Sequence, residues 1–341
     1  TPEEQAKIFH HSTFKERAEL IRRSHDPRAL TRALSHEELY LLTREMDMED
    51  RCEVIKYATL PQLFFISDID CWKKDRIDPD NFMEWIETLK TADEKVLLQW
   101  LLTMDYGTVV TGFQKVLKVL KPEWEYAADE LLGDTPYFTI DQMYYIAVGE
   151  ENLEMVRRVF EILFENNRGR YISLLEGIMA ETGEQIEEEA YQTREGRLAD
   201  RGFPDYETAR RIYRPISREE FDETPKKNSE LMKEKVQLPN YPVLWSSERL
   251  FLDDVLLHIS KGPQEFLENL HEELAWVSNK VLAGQGIDFS SEEKVKRGIE
   301  RARFFISIGL EDLSGGDVKK AEMILSERWC ENIFRWGVNK I

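Results

Sequence analysis

The stretch Pro79-Asp-Asn-Phe-Met-Glu-Trp-Ile-Glu-Thr-Leu-Lys90 decides the fold class of this chain. Its large apolar residues, Phe82, Trp85, Ile86 and Leu89, recur at i, i+3, i+4 and i+7, which is the spacing of one face of an α-helix. The Pro-Asp pair that precedes them suits the first turn of a helix. The stretch therefore predicts an amphipathic helix with one buried face.

The same spacing recurs along most of the chain, whereas the period-two runs typical of strands are rare. Helical spacing is found at Val109 to Leu120, Leu153 to Leu163, Phe251 to Ile259, Phe266 to Val281 and Val295 to Ile306. The best strand candidate is Tyr137 to Val148, which is rich in β-forming residues. We therefore predict an all-α fold with at most one short β-hairpin.

A weak internal repeat indicates how the helices are arranged. A shift of 44 residues aligns Leu41-Leu42 with Trp85-Ile86, and Val54 with Leu98. Periods of about 40 to 47 residues are typical of HEAT-like arrays of helical hairpins, although coincidence between two hairpins stays an open alternative. We predict stacked helical hairpins in a superhelical, HEAT-like array, followed by a C-terminal helical bundle.

A break in the helical pattern divides the chain. The segment from Thr224 to Ser247 contains three prolines and no periodicity, as expected for a linker or a long functional loop. We predict an N-terminal helical array over 1–135 and a middle helical segment, with room for short strands, over 136–223. The linker or loop then covers 224–246, and the C-terminal bundle covers 247–341.

The charge balance limits the classes of partner. The chain has 46 Lys and Arg residues against 66 Asp and Glu residues, a net charge of −20. An acidic protein is poorly suited to the phosphates of nucleic acids or to anionic membrane surfaces. Because no apolar run is long enough to span a bilayer, we expect neither a nucleic-acid partner nor membrane insertion.

The cysteines and the chain ends bear on the compartment. The three cysteines are isolated and odd in number, which favours a reducing compartment and predicts a cytoplasmic protein. The chain begins at Thr1 without a methionine and ends at Ile341 within an amphipathic pattern, so we expect both ends to be trimmed.

Known catalytic, metal and cofactor motifs are absent from the sequence. A calcium-like loop begins at Asp68 and Asp70, but Lys73 stands where glycine is required and Pro79 where a glutamate belongs. The chain has no GxGxxG, Walker, HExxH or Gly-x-Ser-x-Gly motif. We therefore expect no catalytic residue of a known motif, no metal and no cofactor, and enzymatic activity stays open.

One arginine-rich face is the first candidate binding site. Arg194, Arg197 and Arg201 share one face of a helix predicted over 184–201. The planar guanidinium fork of arginine suits carboxylates and phosphates, so these residues are candidates for binding a small anion or a partner. The alternative is internal pairing with some of the 66 acidic side chains.

The second candidate is a cluster of positive charge around one large aromatic residue, between two predicted helices. It consists of Trp72, Lys73, Lys74 and Arg76, and we consider it a candidate partner surface. In the alternative interpretation the neighbouring acids cap helices and Trp72 packs in the core.

Several segments resemble a bacterial family of uncharacterised proteins known only as a domain of unknown function. They include Leu34 to Leu42, Asp68 to Pro79, Arg197 to Tyr206 and Ile212 to Pro215, and the run Arg197-Leu-Ala-Asp-Arg-Gly-Phe-Pro-Asp205 is specific. This resemblance implies no activity, cofactor or catalytic residue. The N-terminal third also resembles the superhelical cytosolic domain of bacterial magnesium transporters, through its leucine-rich helical hairpins.

Taken together, these patterns favour a cytoplasmic helical protein that acts as a protein-protein interaction or scaffolding module, because stacked helical hairpins present extended surfaces to partners. The expected partner is a protein. The alternative is an enzyme or sensor that binds a small anionic ligand at an arginine-lined site.

Overall fold

The computed structural model describes residues 19–44, 46–122, 132–133, 135–180, 183–227, 249–285 and 292–341. Helices dominate these residues, and the all-α fold class is confirmed. None of the described helices is both long and apolar enough to cross a membrane.

Most of the helices follow one another with short connections. In chain order they are α1 (Pro27–Ala33), α2 (His36–Arg44), α3 (Met48–Ile55), α4 (Leu60–Asp70), α5 (Pro79–Ala92), α6 (Glu94–Thr103), α7 (Tyr106–Gln114), α8 (Leu153–Asn166), α9 (Arg168–Met179), α10 (Gly183–Ala199), α11 (Tyr206–Arg210), α12 (Arg218–Glu223), α13 (Phe251–Ile259), α14 (Gln264–Ala283), α15 (Glu292–Ser314), α16 (Val318–Glu327) and α17 (Cys330–Val338). Short 3₁₀ turns lie at Glu150–Asn152 and Arg211–Tyr213.

Two compact units make up the described part of the chain. Unit 1 contains 19–20, 33–44 and the described residues from Glu195 onward, and unit 2 contains 21–32 and the described residues of 46–194. The chain passes from one unit to the other four times, and two of these passages fall within helices, in α1 and in α10. The four-part division and the HEAT-like repeat stay predictions, and most of the expected linker lies outside the described residues.

An unbroken series of aromatic rings forms the centre of unit 2. Phe82 of α5 packs on Phe113 of α7, which packs on Phe160 of α8, with ring centroids 5.2 Å apart in both pairs. Phe160 in turn contacts Tyr171 of α9 at 6.2 Å. A Cβ atom at Gly112 would overlap the Phe82 ring, so the glycine permits this close approach.

Two small antiparallel sheets accompany the helices of unit 2, one sheet more than the single hairpin expected. The strands are β1 (Trp72–Lys73), β2 (Arg76–Ile77), β3 (Lys118–Leu120), β4 (Tyr137–Phe138) and β5 (Tyr145–Ala147). β1 pairs with β2, and β5 lies between β3 and β4. The strand candidate over 137–148 is confirmed. The predicted helix over 109–120 is wrong at its end, because α7 stops at Gln114 and Val119 pairs instead with Ile146.

The core of unit 1 is built around α15, which packs on α14, α16 and α17. Its fully buried residues include Leu274 of α14, Ile306 of α15 and Ile333 of α17. Ile212, in the 3₁₀ turn after α11, is buried in the same cluster and is 1% exposed. This apolar contact holds the turn, and the charged residues on either side of it, against α14 and α15.

Candidate functional site

A cleft of about 730 Å³ lies in unit 1, where α11 and its 3₁₀ turn meet the C-terminal end of α14 and one face of α15. Four arginines and two tyrosines supply most of its lining: Arg210, Arg211, Arg214, Arg301, Tyr206 and Tyr213. Pockets that hold organic ligands commonly have volumes of roughly 300 to 1,000 Å³, so this cleft has the size of a ligand site.

Local sequence explains why the arginines face outward. Asp205 caps α11 with its side chain, which fixes where this short helix begins. Ala209 and Ile212 are almost completely buried and lie three residues apart, on one side of the helical turn. Arg210 and Arg211 lie between them in sequence and are exposed. Burial of two apolar residues therefore presents two adjacent guanidinium groups to the cleft.

Aromatic rings position two of the four guanidinium groups. Arg301 lies over the ring of Tyr213, with 5.3 Å between the guanidinium carbon and the ring centroid. Arg210 lies over the ring of Tyr206 at 5.5 Å. Stacking on an aromatic face restrains a guanidinium group while its N–H donors stay available at the edge. The stacked arginines are thus preorganised to donate hydrogen bonds.

Three of these arginines have no acidic partner in the described part of the chain. No described carboxylate lies within 4.0 Å of Arg210, Arg211 or Arg301, although Glu207 also lines the cleft. Arg214 lies 3.7 Å from Glu220, but both side chains are largely exposed, so this pair is weak. Within the part of the chain that the structure describes, the cleft therefore carries an excess of positive charge, in a strongly acidic protein.

Tyr213 adds a polar group at the base of the same cleft. Its hydroxyl is buried and lies beside the Gln285 side chain. Burial raises the pKa of Tyr213, and the nearby Arg301 charge and Gln285 side chain oppose that rise only in part. The phenol is therefore protonated at neutral pH and is able to donate a hydrogen bond.

The arginines that the sequence predicts as anion ligands, Arg194, Arg197 and Arg201, do not line this cleft and make other contacts. In unit 1, Arg201 donates to both carboxylate oxygens of Glu37, from Nε at 3.0 Å and from a terminal nitrogen at 2.8 Å. Glu37 is completely buried, and burial raises its pKa against the opposing effect of Arg201. This is a buried, bidentate ion pair between α2 and the residues that follow α10.

Arg194 belongs to unit 2 and is 8% exposed. Its Nε donates to the backbone oxygen of Asp68 at 2.6 Å, and its guanidinium lies over the Trp72 ring at 5.5 Å. Arg197 is partly buried and also interacts with neighbouring groups. The contacts of Arg194 and Arg201 support the alternative of internal pairing, and anion binding by the three arginines stays a prediction.

The second predicted cluster forms the hairpin of β1 and β2. Trp72 is buried at 5% exposure, whereas Lys73, Lys74 and Arg76 are exposed. Lys74 occupies the turn with a φ of 60°, and Lys73 forms an ion pair of 2.6 Å with Asp78. The structure thus places three cations on an exposed hairpin above a buried indole, and their role as a partner surface stays a prediction.

The chain matches a known protein family along the whole of the given sequence. One family matches over residues 1–341. The chain belongs to the family of unknown function DUF6178. This membership confirms the resemblance to an uncharacterised family, and DUF6178 carries no assigned activity. Searches of curated proteins and of solved structures gave no match. The likeness of the N-terminal third to magnesium transporters stays a prediction.

The described residues of this DUF6178 chain contain no group of three or more His, Cys, Asp or Glu side chains arranged to hold a metal ion. Its cysteines, Cys52, Cys71 and Cys330, are free and buried. Burial raises the pKa of each thiol, which disfavours the reactive thiolate form. The arginine cleft is therefore the strongest candidate site in the described residues.

Sequence reasoning missed the cleft arginines of this DUF6178 member. A signal was present, because Arg210, Arg211 and Arg214 form a dense basic cluster within an acidic chain. Arg301 comes from a helix distant in sequence, and its approach to Tyr213 depends on packing between α15 and the 3₁₀ turn. The cluster could have been found from the sequence, but its convergence with Arg301 could not.

Proposed function

We propose that this protein binds a small anionic ligand in the arginine cleft. The observation that carries the proposal is that Arg210, Arg211 and Arg301 face one cleft with no described carboxylate within 4.0 Å. Cations gathered in this way repel one another, so an anion that neutralises them is bound favourably. The exposed pair of Arg214 with Glu220 leaves that arginine available as a fourth contact.

The arrangement suits phosphate or carboxylate oxygens more than a simple halide. Guanidinium groups bind such oxygens through two parallel N–H donors, which adds geometric selectivity to the charge attraction. Two of the guanidinium groups are already restrained by stacking, so less side-chain entropy is lost when the ligand binds. This function corresponds to the sensor alternative expected from the sequence, but at different arginines.

Calorimetric titration with inorganic pyrophosphate at low ionic strength tests the proposal. We expect saturable binding by the wild-type chain, weakened at least about tenfold by Arg211→Gln and by Arg301→Gln, since each removes a charge-assisted contact. Arg168→Gln is the matched control, because Arg168 is exposed and does not line the cleft. Absence of pyrophosphate binding, or equal weakening by the control, would refute the proposal.

A helical protein-interaction module is the second candidate, and exposed apolar side chains favour it. Leu257 of α13 and Met323 of α16 are 58% and 62% exposed, on two helices that contact each other. Large exposed apolar residues are common in interaction surfaces. Affinity purification of the full-length protein should then recover a stoichiometric partner, and Leu257→Asp with Met323→Asp should release it while the melting temperature stays unchanged. Retention of the partner by the double variant would argue against this surface.

We propose the cytoplasm as the compartment. The three buried free cysteines support this assignment, because a secreted protein of this size more often has its cysteines paired. Fractionation of cells that express the tagged full-length protein tests it, and recovery in an oxidising compartment would contradict it.

A further inference from the structure

We propose that the ligand of the arginine cleft is a nucleotide that carries at least two phosphate groups, with its base stacked on Tyr206. This inference rests on the anion-binding function proposed above and adds the class of ligand. It depends on the size of the cleft, its number of cations, its exposed tyrosine and its other polar groups.

Size and charge exceed what a single phosphate needs. The cleft of about 730 Å³ falls within the range of sites for organic ligands, roughly 300 to 1,000 Å³. Four arginines and one glutamate line it, which leaves an excess of positive charge matched by a diphosphate or triphosphate chain. A bidentate contact uses one arginine for two oxygens, so four arginines are suited to more than one phosphate group.

Tyr206 supplies a surface for a flat ring. Its side chain is 49% exposed and lies at the rim of the cleft, at the first position of α11. Arg210 lies over the ring at 5.5 Å, which restrains it and brings a cation beside it. An exposed aromatic ring next to arginines is the combination on which bases stack while phosphates are bound. An anion without a ring would make no stacking contact with Tyr206.

Two further lining residues suit a ligand that also has hydrogen-bond donors. Glu207 is acidic and would repel a simple anion, but its carboxylate is able to accept hydrogen bonds from sugar hydroxyls or a base amino group. Gln285 at the end of α14 offers both a donor and an acceptor. The acceptor oxygens of both side chains have a role with a nucleotide, whereas inorganic phosphate offers them few donors.

The test compares ADP, GDP, CDP and UDP with pyrophosphate by calorimetry, in the same low-salt buffer with EDTA. Pyrophosphate is the matched probe, because it has two linked phosphates and no ring. We expect at least one nucleoside diphosphate to bind about fivefold or more tightly than pyrophosphate, since stacking on an aromatic side chain adds affinity. Tyr206→Ala should remove that gain, so that nucleotide affinity falls to the level of pyrophosphate affinity; pyrophosphate itself should lose only the smaller contribution of the restraint on Arg210. Tyr206→Phe should retain the gain.

Each outcome has a distinct meaning. If all four nucleotides bind no more tightly than pyrophosphate, the base is not recognised and this inference fails, while the anion-binding function stands. If a nucleotide binds more tightly but Tyr206→Ala has no effect, the proposed stacking is wrong. If pyrophosphate does not bind, the anion-binding function itself is refuted.

Discussion

Gly309 of α15 lies directly against Gly337 of α17, so that a Cβ atom added to Gly337 would be 3.1 Å from the backbone nitrogen of Gly309. The same Cβ would overlap the carbonyl oxygen of Phe305. The two helices therefore pack backbone to backbone. This contact positions α15, and with it Arg301, in unit 1.

The first prediction concerns this helix contact. Gly337→Ala should lower the free energy of unfolding by about 2 kcal/mol or more, because the overlap forces the two helices apart. Gly196→Ala in α10 is the control, since no described atom other than those of its own helix backbone and chain neighbours lies within 4 Å of its added Cβ. That variant should be more stable by about 0.5 to 1 kcal/mol, the usual gain in a helix. Chemical denaturation measures both, and equal effects would contradict the packing.

The second prediction concerns the buried pair of Arg201 and Glu37. Arg201→Met should cost about 3 kcal/mol, because it leaves a buried carboxylate without its cation. Adding Glu37→Gln should restore about 1 kcal/mol or more, since the uncompensated charge is gone. Arg168→Met, at an exposed position, should change stability by less than about 0.5 kcal/mol. A double variant no more stable than Arg201→Met would show that charge burial is not the cause.

The third prediction concerns the pH dependence of stability. Burial and then the neighbouring Arg201 charge lower the pKa of His36 from 6.5 to about 3. In the unfolded chain His36 binds a proton below pH 6.5, whereas in the folded chain it does so only near pH 3. The free energy of unfolding therefore decreases as the pH is lowered from about 6.5 toward 3. Between pH 7 and pH 5 the loss from this group is at most about 2 kcal/mol.

His36→Gln removes this titration. The difference in stability between pH 7 and pH 5 should therefore be smaller in His36→Gln than in the wild-type chain. His25→Gln serves as the control, because His25 is exposed. Urea denaturation at the two pH values measures the effect, and an unchanged difference in His36→Gln would exclude His36 as its source.

The fourth prediction separates charge from geometry in the cleft. Arg301→Lys keeps the positive charge but loses the planar stack on Tyr213 and the paired N–H donors. We expect pyrophosphate affinity to fall about fivefold or more, while its decrease with salt up to about 0.2 M stays similar to that of the wild type. Unchanged affinity would mean that Arg301 contributes only its charge.

Much of the fold could be predicted from local patterns in the sequence. Phe82, Trp85, Ile86 and Leu89 are all buried on α5, as their spacing predicts. The Asp317 side chain caps α16, as its position after Gly315-Gly316 indicates. Such features depend on neighbours three or four residues away, so a single sequence contains the information.

Features that depend on residues distant in the chain could not be predicted from the sequence. Val116 to Leu120 continues a helical spacing, yet Val119 forms a strand because β5 supplies hydrogen-bonding partners. Arg201 forms a buried ion pair because Glu37, which is 164 residues away in sequence, packs beside it. In the cleft, likewise, the adjacent residues Arg210 and Arg211 share a candidate site with Arg301 because packing places α15 beside them. Tertiary pairing outweighs local propensity in these cases.

The ion pair between α2 and the end of α10 also has a consequence for biosynthesis. Glu37 leaves the ribosome 164 residues before Arg201, and the rest of unit 1 is made later still. At translation rates of about 5 to 20 residues per second, α2 waits roughly 8 to 33 s for its cationic partner. During that interval the Glu37 carboxylate has no Arg201 guanidinium to bind. The nascent chain thus carries an early carboxylate whose ion pair forms only after residue 201 has been synthesised.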